Sequence, residues 1–215
     1  MAGLALCGTG LQDHSGTPER YDLAGKPAWQ VVLPDELAEI SGLAFTPDGR
    51  LFAHGDEQAI LHQLDPRSGR IVSTFALAAT GREPNLGKRR KPGQAGGNVV
   101  TGDFEDIAIV GDRFFLVTSN GVLLEFRQGR NGSQVPYTAH VTGIGRACEI
   151  EGLAHDAAAG ALLLLCKDVP GRGRQHQVVI YAWSLKHGRL AGARLAVPYS
   201  DFARVTGAPE FNGSA

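Results

Sequence analysis

Glu39-Ile40-Ser41-Gly42-Leu43-Ala44 is a phrase that this chain repeats. It returns as Asp103-Phe104-Glu105-Asp106-Ile107-Ala108, as Glu149-Ile150-Glu151-Gly152-Leu153-Ala154 and as Glu210-Phe211-Asn212-Gly213-Ser214-Ala215. Every copy opens on a carboxylate, continues with a large apolar residue and closes on alanine. Self-similarity at this interval marks a repeat architecture. The copies start 64, 46 and 61 residues apart, and about 40–50 residues make one four-stranded propeller blade.

The segments between the phrases agree. After Leu43-Ala44-Phe45, the run Thr46-Pro47-Asp48-Gly49-Arg50 is a turn, because proline pre-sets one backbone angle and glycine supplies the other. Strands are expected at 51–54, 59–65 and 71–75, separated by Gly55-Asp56-Glu57-Gln58 and Pro66-Arg67-Ser68-Gly69-Arg70. The second copy repeats the meander over 104–110, 113–118, 122–126 and 136–141, with Ser119-Asn120-Gly121 as its hairpin turn. The third places strands at 150–155, 161–166, 178–184 and 189–197. The longer spacings need insertions, at 79–100 and split between 169–177 and 200–209. Helical periodicity is nearly absent, and Pro34-Asp35-Glu36-Leu37-Ala38 reads as a single turn.

The expected fold is therefore all-β: a β-propeller of four-stranded antiparallel blades, six in the intact protein, with about three blades and the stub at 210–215 present. Residues 1–27 read as a leader remnant or linker and 28–215 as an incomplete propeller. A propeller closes its ring because an open sheet edge invites unwanted pairing. The expectation is a C-terminally truncated product, in which 28–33 is an outer strand of a further blade.

Bulk properties fit. The chain has 215 residues, 43% hydrophobic and 20% charged, enough for one domain with a real core. A formal net charge of -1 removes the electrostatic case for a nucleic-acid partner. No apolar run approaches the ~20 residues of a membrane-spanning helix. Met1 to Gly8, with Cys7, looks like the tail of an export leader or a lipoprotein attachment site, though it lacks a basic start. Cys148 and Cys166 fall on neighbouring strands. Buried thiols acting as small hydrophobes are their expected state.

The chemistry comes from the repeat. Strand alternation puts positions one, three and five of each phrase on one side, and the first strand of each blade lines the channel. Hairpin pairing sets Glu39 opposite Asp56 or Glu57, Asp103 opposite Ser119, and Glu149 opposite Lys167. One mouth then gathers Glu39, Asp103, Glu105, Glu149, Glu151 and Asn212 as candidate metal ligands. Asp56, Glu57, Asn120, Lys167 and Asp168 join them as candidate ligand-binding groups. Crowded carboxylates protonate, pair with a cation or bind a metal, and hard oxygen donors suit calcium. Acids that cap amides or pair with lysine are the structural alternative. Lys88-Arg89-Arg90-Lys91, among glycines and prolines, reads as a solvated loop or as a flap for an anionic ligand. His54 and His155 lie near strand ends. No nucleophile elbow, phosphate loop or His-Glu-x-x-His spacing occurs.

The phrases from Glu39 through Asp56-Glu57, from Asp103 and from Glu149 resemble the SdiA-regulated (YjiK-like) family of bacterial envelope propellers. The likeness runs from about Trp29 onward. More loosely, they resemble phytase-like and esterase-like propellers. The first resemblance implies an envelope protein binding calcium or a small polar ligand at its mouth. The second implies a calcium-dependent hydrolase of phosphate or lactone esters, with Glu105 and Glu151 as first-choice ligands. A protein-interaction platform is the third reading. His54-Gly55, Ser41 and the basic 82–91 insertion depart from the family pattern.

Overall fold

The computed structural model describes residues 26–27, 30–87, 98–167 and 176–201. The chain divides into two compact units, Met1–Val32 and Leu33–Ala215. The described residues of the first unit carry no regular secondary structure.

The described residues of the second unit form three antiparallel meanders. The first runs β1 (Ile40–Phe45), β2 (Leu51–Gly55), β3 (Ile60–Leu64) and β4 (Ile71–Leu77). The second comprises β5 (Phe104–Val110), β6 (Arg113–Thr118), β7 (Val122–Arg127) and β9 (Tyr137–Val141). The third comprises β10 (Glu149–Asp156), β11 (Ala161–Lys167), β12 (Gln177–Ser184) and β13 (Arg189–Pro198). The opening strands stand side by side, β1 against β5 and β5 against β10. Successive meanders stacked face to face with their first strands innermost make a β-propeller, as the repeat predicts. The stub at 210–215 lies outside the described residues.

Two connections go beyond the sequence reading. β8 (Gln134–Val135) leaves the second sheet and pairs in parallel with β4, adding a fifth strand to the first. The insertion after β4 folds back, with Ala78 bridged to Val99 and Gln58 to Thr101. The expected strand at 28–33 is corrected. Residues 30–33 form no strand; they lead into Pro34, which lacks a donor. The turn at Asp35–Leu37 is a short 3₁₀ helix.

The inner strands share one irregularity. Pairing skips a residue between Ile40 and Gly42, between Phe104 and Asp106, and between Ile150 and Gly152. Position three of every described phrase, Ser41, Glu105 and Glu151, is therefore a β-bulge. The bulge corrects the expected alternation: position five no longer faces with position one. Positions two and five share the face toward the preceding sheet, and positions four and six the face toward the next. Phe104 and Ile107 accordingly bury against the first sheet, and Ile150 and Leu153 against the second. Leu43 and Phe45, on the equivalent face of β1, stay 53% and 60% exposed.

Each seam between sheets has its own core. The first joins Phe52, Phe75, Phe104, Phe114 and Phe126 with Leu86 and Val100 of the insertion. The second joins Phe115, Leu123, Leu162, Leu164 and Trp183 with Cys148 and Cys166. Those cysteines are not the expected free thiols. They form a disulfide, with Cα atoms 5.7 Å apart. The β10–β11 hairpin sets Cys166 opposite Ile150, and Cys148 lies just ahead of β10, within bridging reach.

Candidate functional site

The hairpin registers come out as the turn centres dictate. Glu149 pairs with Lys167, Phe104 with Thr118 and Ile40 with Gly55. The starts of the inner strands and the ends of the second strands meet at one mouth, whose acids fall into two groups.

The first group lines a groove of about 330 Å³ on the first sheet. Glu39, Asp56 and Glu57 are joined there by Asp35 and Glu36 of the 3₁₀ turn. Sequence reasoning left those two out because it placed the turn but not its direction. Among the described lining residues His62 is the lone candidate counter-charge. Burial holds its imidazole below the ordinary range, and its Nδ1 lies 3.1 Å from the Thr74 hydroxyl. The described lining therefore sets five carboxylates against one weakly basic imidazole.

The second group surrounds a lysine. Lys167 donates to Glu151 Oε1 at 3.1 Å. That bond, aided by the fields of Glu151, Glu149 and Glu105, raises the ammonium pKa against the cost of burial. Ser41 on the neighbouring strand donates to the Glu105 carbonyl at 3.3 Å. Asp103 accepts the Ser119 hydroxyl at 2.6 Å. Asn120 spends its amide on the insertion, donating to the Asn85 carbonyl at 2.8 Å, and accepts from Thr118 at 2.6 Å. Asp168, Asn212 and Glu210 lie outside the described residues, as do Cys7 and the Lys88–Lys91 run.

Calcium takes six to eight oxygens, yet no three His, Cys, Asp or Glu side chains among the described residues are close enough to hold a metal ion. Lys167 already supplies a cation to Glu151.

One participant escaped the sequence reading. Position four is glycine in three phrases and Asp106 in the other. Its carboxylate lies in the room the neighbouring glycines leave. Oδ1 accepts the Ile107 amide and Oδ2 the Leu153 amide of β10, both at 2.7 Å. On the other side, a Cβ at Gly42 would stand 2.9 Å from Asp106 Oδ1 and 2.5 Å from His54 Nε2. His54 is fully buried, and burial lowers its pKa to about 4. Its Nδ1 lies 2.8 Å from the Gly55 carbonyl; a carbonyl only accepts, so Nδ1 carries the proton and Nε2 is a bare lone pair. That Nε2 has no partner among the described residues.

No protein-family model and no curated sequence matches the chain. Solved structures resemble it at low identity, three of them as follows. The Cps50 (Swd1) β-propeller domain of Myceliophteria thermophila aligns at TM-score 0.41 and 12% identity, over 74% of this chain and 43% of its own. A putative 6-phosphogluconolactonase from Bacteroides uniformis aligns at 0.42 and 14%, over 79% and 45%. The glutaminyl cyclase of Myxococcus xanthus aligns at 0.35 and 15%, over 81% and 77%. The chain spans less than half the length of the first two. The fold itself rests on the sheet topology described above.

Proposed function

We propose that this chain is a ligand-binding propeller of the SdiA-regulated type, working in the cell envelope, whose acidic mouth takes a small polar ligand bearing positive charge. The observation that carries this reading is the groove formed by Asp35, Glu36, Glu39, Asp56 and Glu57, with no lysine or arginine among its described lining residues. Five carboxylates along a concave wall attract a cation over several ångströms. The groove's size suits an organic amine better than a bare ion. The Cys148–Cys166 disulfide supports the envelope assignment, since such bonds persist in oxidising compartments.

Calorimetric titration of the whole chain tests the reading, with a diamine, a quaternary ammonium and calcium chloride as separate arms. Saturable binding of an amine that weakens about tenfold in Glu39→Gln/Glu57→Gln and fades with added salt is the expected result. Calcium binding with no amine binding would transfer the mouth to a metal. Silence in every arm at millimolar concentration would end the proposal. Turnover of lactones or phosphate esters, followed in the same samples, would favour the hydrolase instead.

A further inference from the structure

Both described seams are made in the same way: the forward face of one sheet packs on the backward face of the next. Position five of the phrase anchors each backward face. Ile107 and Leu153 are buried there, whereas Leu43, their counterpart on β1, and its neighbour Phe45 stay more than half exposed. Forward faces are anchored by the residue paired with position six. Ala44 pairs with Phe52 and Ala108 with Phe115, and both rings are fully buried. The third sheet pairs Ala154 with Leu163. Leu163 is only half-buried, as are Leu165 and Ile180 on the same face. Leu195, opposite Ile180, is half exposed. None of these four belongs to the core shared with the second sheet. The described stack therefore ends in one backward and one forward face, both apolar, and open apolar faces of this kind mark contact surfaces.

We propose that a second copy of this chain covers both faces at once. The forward face of each copy packs on the backward face of the other, giving two identical seams about a twofold axis. The contact continues the seams that the chain already makes within itself: Leu43 takes the place of Ile107 and Leu153, and Leu163 that of Phe52 and Phe115. Three described sheets are fewer than the 4–8 blades of a propeller ring, and two copies supply six. Head-to-tail contacts form a closed ring when their rotation returns to the start.

Charge agrees at the mouth end. Alternation puts Lys167 on the forward face with Leu163 and Leu165. Glu39, Asp56 and Glu57 line the same end of the first sheet, beside Ile60 and His62. Opposite charges at matching ends set the register of the two faces. The inference goes beyond the amine reading and does not rest on it.

Sedimentation equilibrium of the full chain at micromolar concentration is the test. The expected mass is that of two chains, with no larger species. Leu43→Asp on the backward face and Leu163→Asp on the forward face should each weaken the dimer about a hundredfold, the scale of a lost hot-spot contact. An equimolar mixture of the two variants keeps one intact seam, and should regain dimers that neither variant forms alone. A mass of one chain for the unaltered protein would overturn the proposal whatever the variants do. So would open-ended oligomers, dimers indifferent to both substitutions, or variants folded by circular dichroism whose mixture stays monomeric.

Discussion

The two seams are filled with different materials. Between the first and second sheets, Phe114 lies edge-on to Phe52 at 5.0 Å and near Phe75 and Phe126 at 6.3 and 5.6 Å. Between the second and third, Trp183 packs on His140 at 5.0 Å and on Phe115 at 6.2 Å. There Glu125 accepts from Arg113 at 2.8 Å and lies 2.9 Å from His140 Nε2, and the disulfide sits in the same cluster. One strand feeds both: Phe114 and Leu116 of β6 point to the first seam, and Phe115 and Val117 to the second. The same backbone thus supports one seam that depends on volume and shape and another that adds a covalent tie and ion pairs.

The largest expected effect falls on the aromatic seam. Phe114→Ala removes a 1%-exposed ring that touches three others. It should cost about 3–5 kcal/mol in urea unfolding, the usual range for emptying a core of a phenylalanine. A loss below about 1 kcal/mol would mean that the cavity collapses freely, and the contrast between the seams would dissolve.

Much of this fold was legible in the sequence because turns and alternation are local. Gly49 and Gly121 adopt the positive φ values, 86° and 77°, that their turns demand. Once a turn is placed, the register is set, and so Glu149 meets Lys167. The bulges were not legible. Glu105 and Glu151 look like ordinary alternating residues, and a bulge becomes visible only when its partner strand is counted against it. β8 was hidden for a similar reason: two residues carry no periodicity, and their pairing with β4 is non-local. Asp106 left one trace, a carboxylate where the other phrases keep glycine. It reads as noise until the neighbouring strands are seen to lack side chains at that level.

The next effect belongs to the second seam. The disulfide closes a loop of 18 residues, which predicts about 3 kcal/mol of stabilisation. Cys148→Ser/Cys166→Ser, or a reductant strong enough to open the bond, should lower the urea midpoint by a matching amount. The added cost of Phe114→Ala should be the same with the bond open or closed, since separate sites add. An unfolding midpoint indifferent to bond opening would show that the third sheet is held by packing alone. A Phe114→Ala cost that changes on reduction would show that the seams are coupled through β6.

The smallest and sharpest comparison is between the glycines that flank Asp106. An alanine methyl at Gly42 would stand 2.5 Å from His54 Nε2, 2.9 Å from Asp106 Oδ1 and 3.1 Å from the Asp106 Cα. The last of these is the backbone of an inner strand and cannot rotate aside. Gly42→Ala should therefore cost about 1–3 kcal/mol, the range for overpacking a tight interior. At Gly152 the nearest atoms are Leu165 Cβ at 3.3 Å and Cδ2 at 3.6 Å, with Asp106 Oδ2 at 3.8 Å. A shift of a few tenths of an ångström accommodates the methyl there, so Gly152→Ala should cost under about 1 kcal/mol. Paired urea titrations measure the difference directly. Equal costs would mean that β1 and β10 approach β5 alike, and Asp106 would no longer be the wedge that makes one junction tighter than the other.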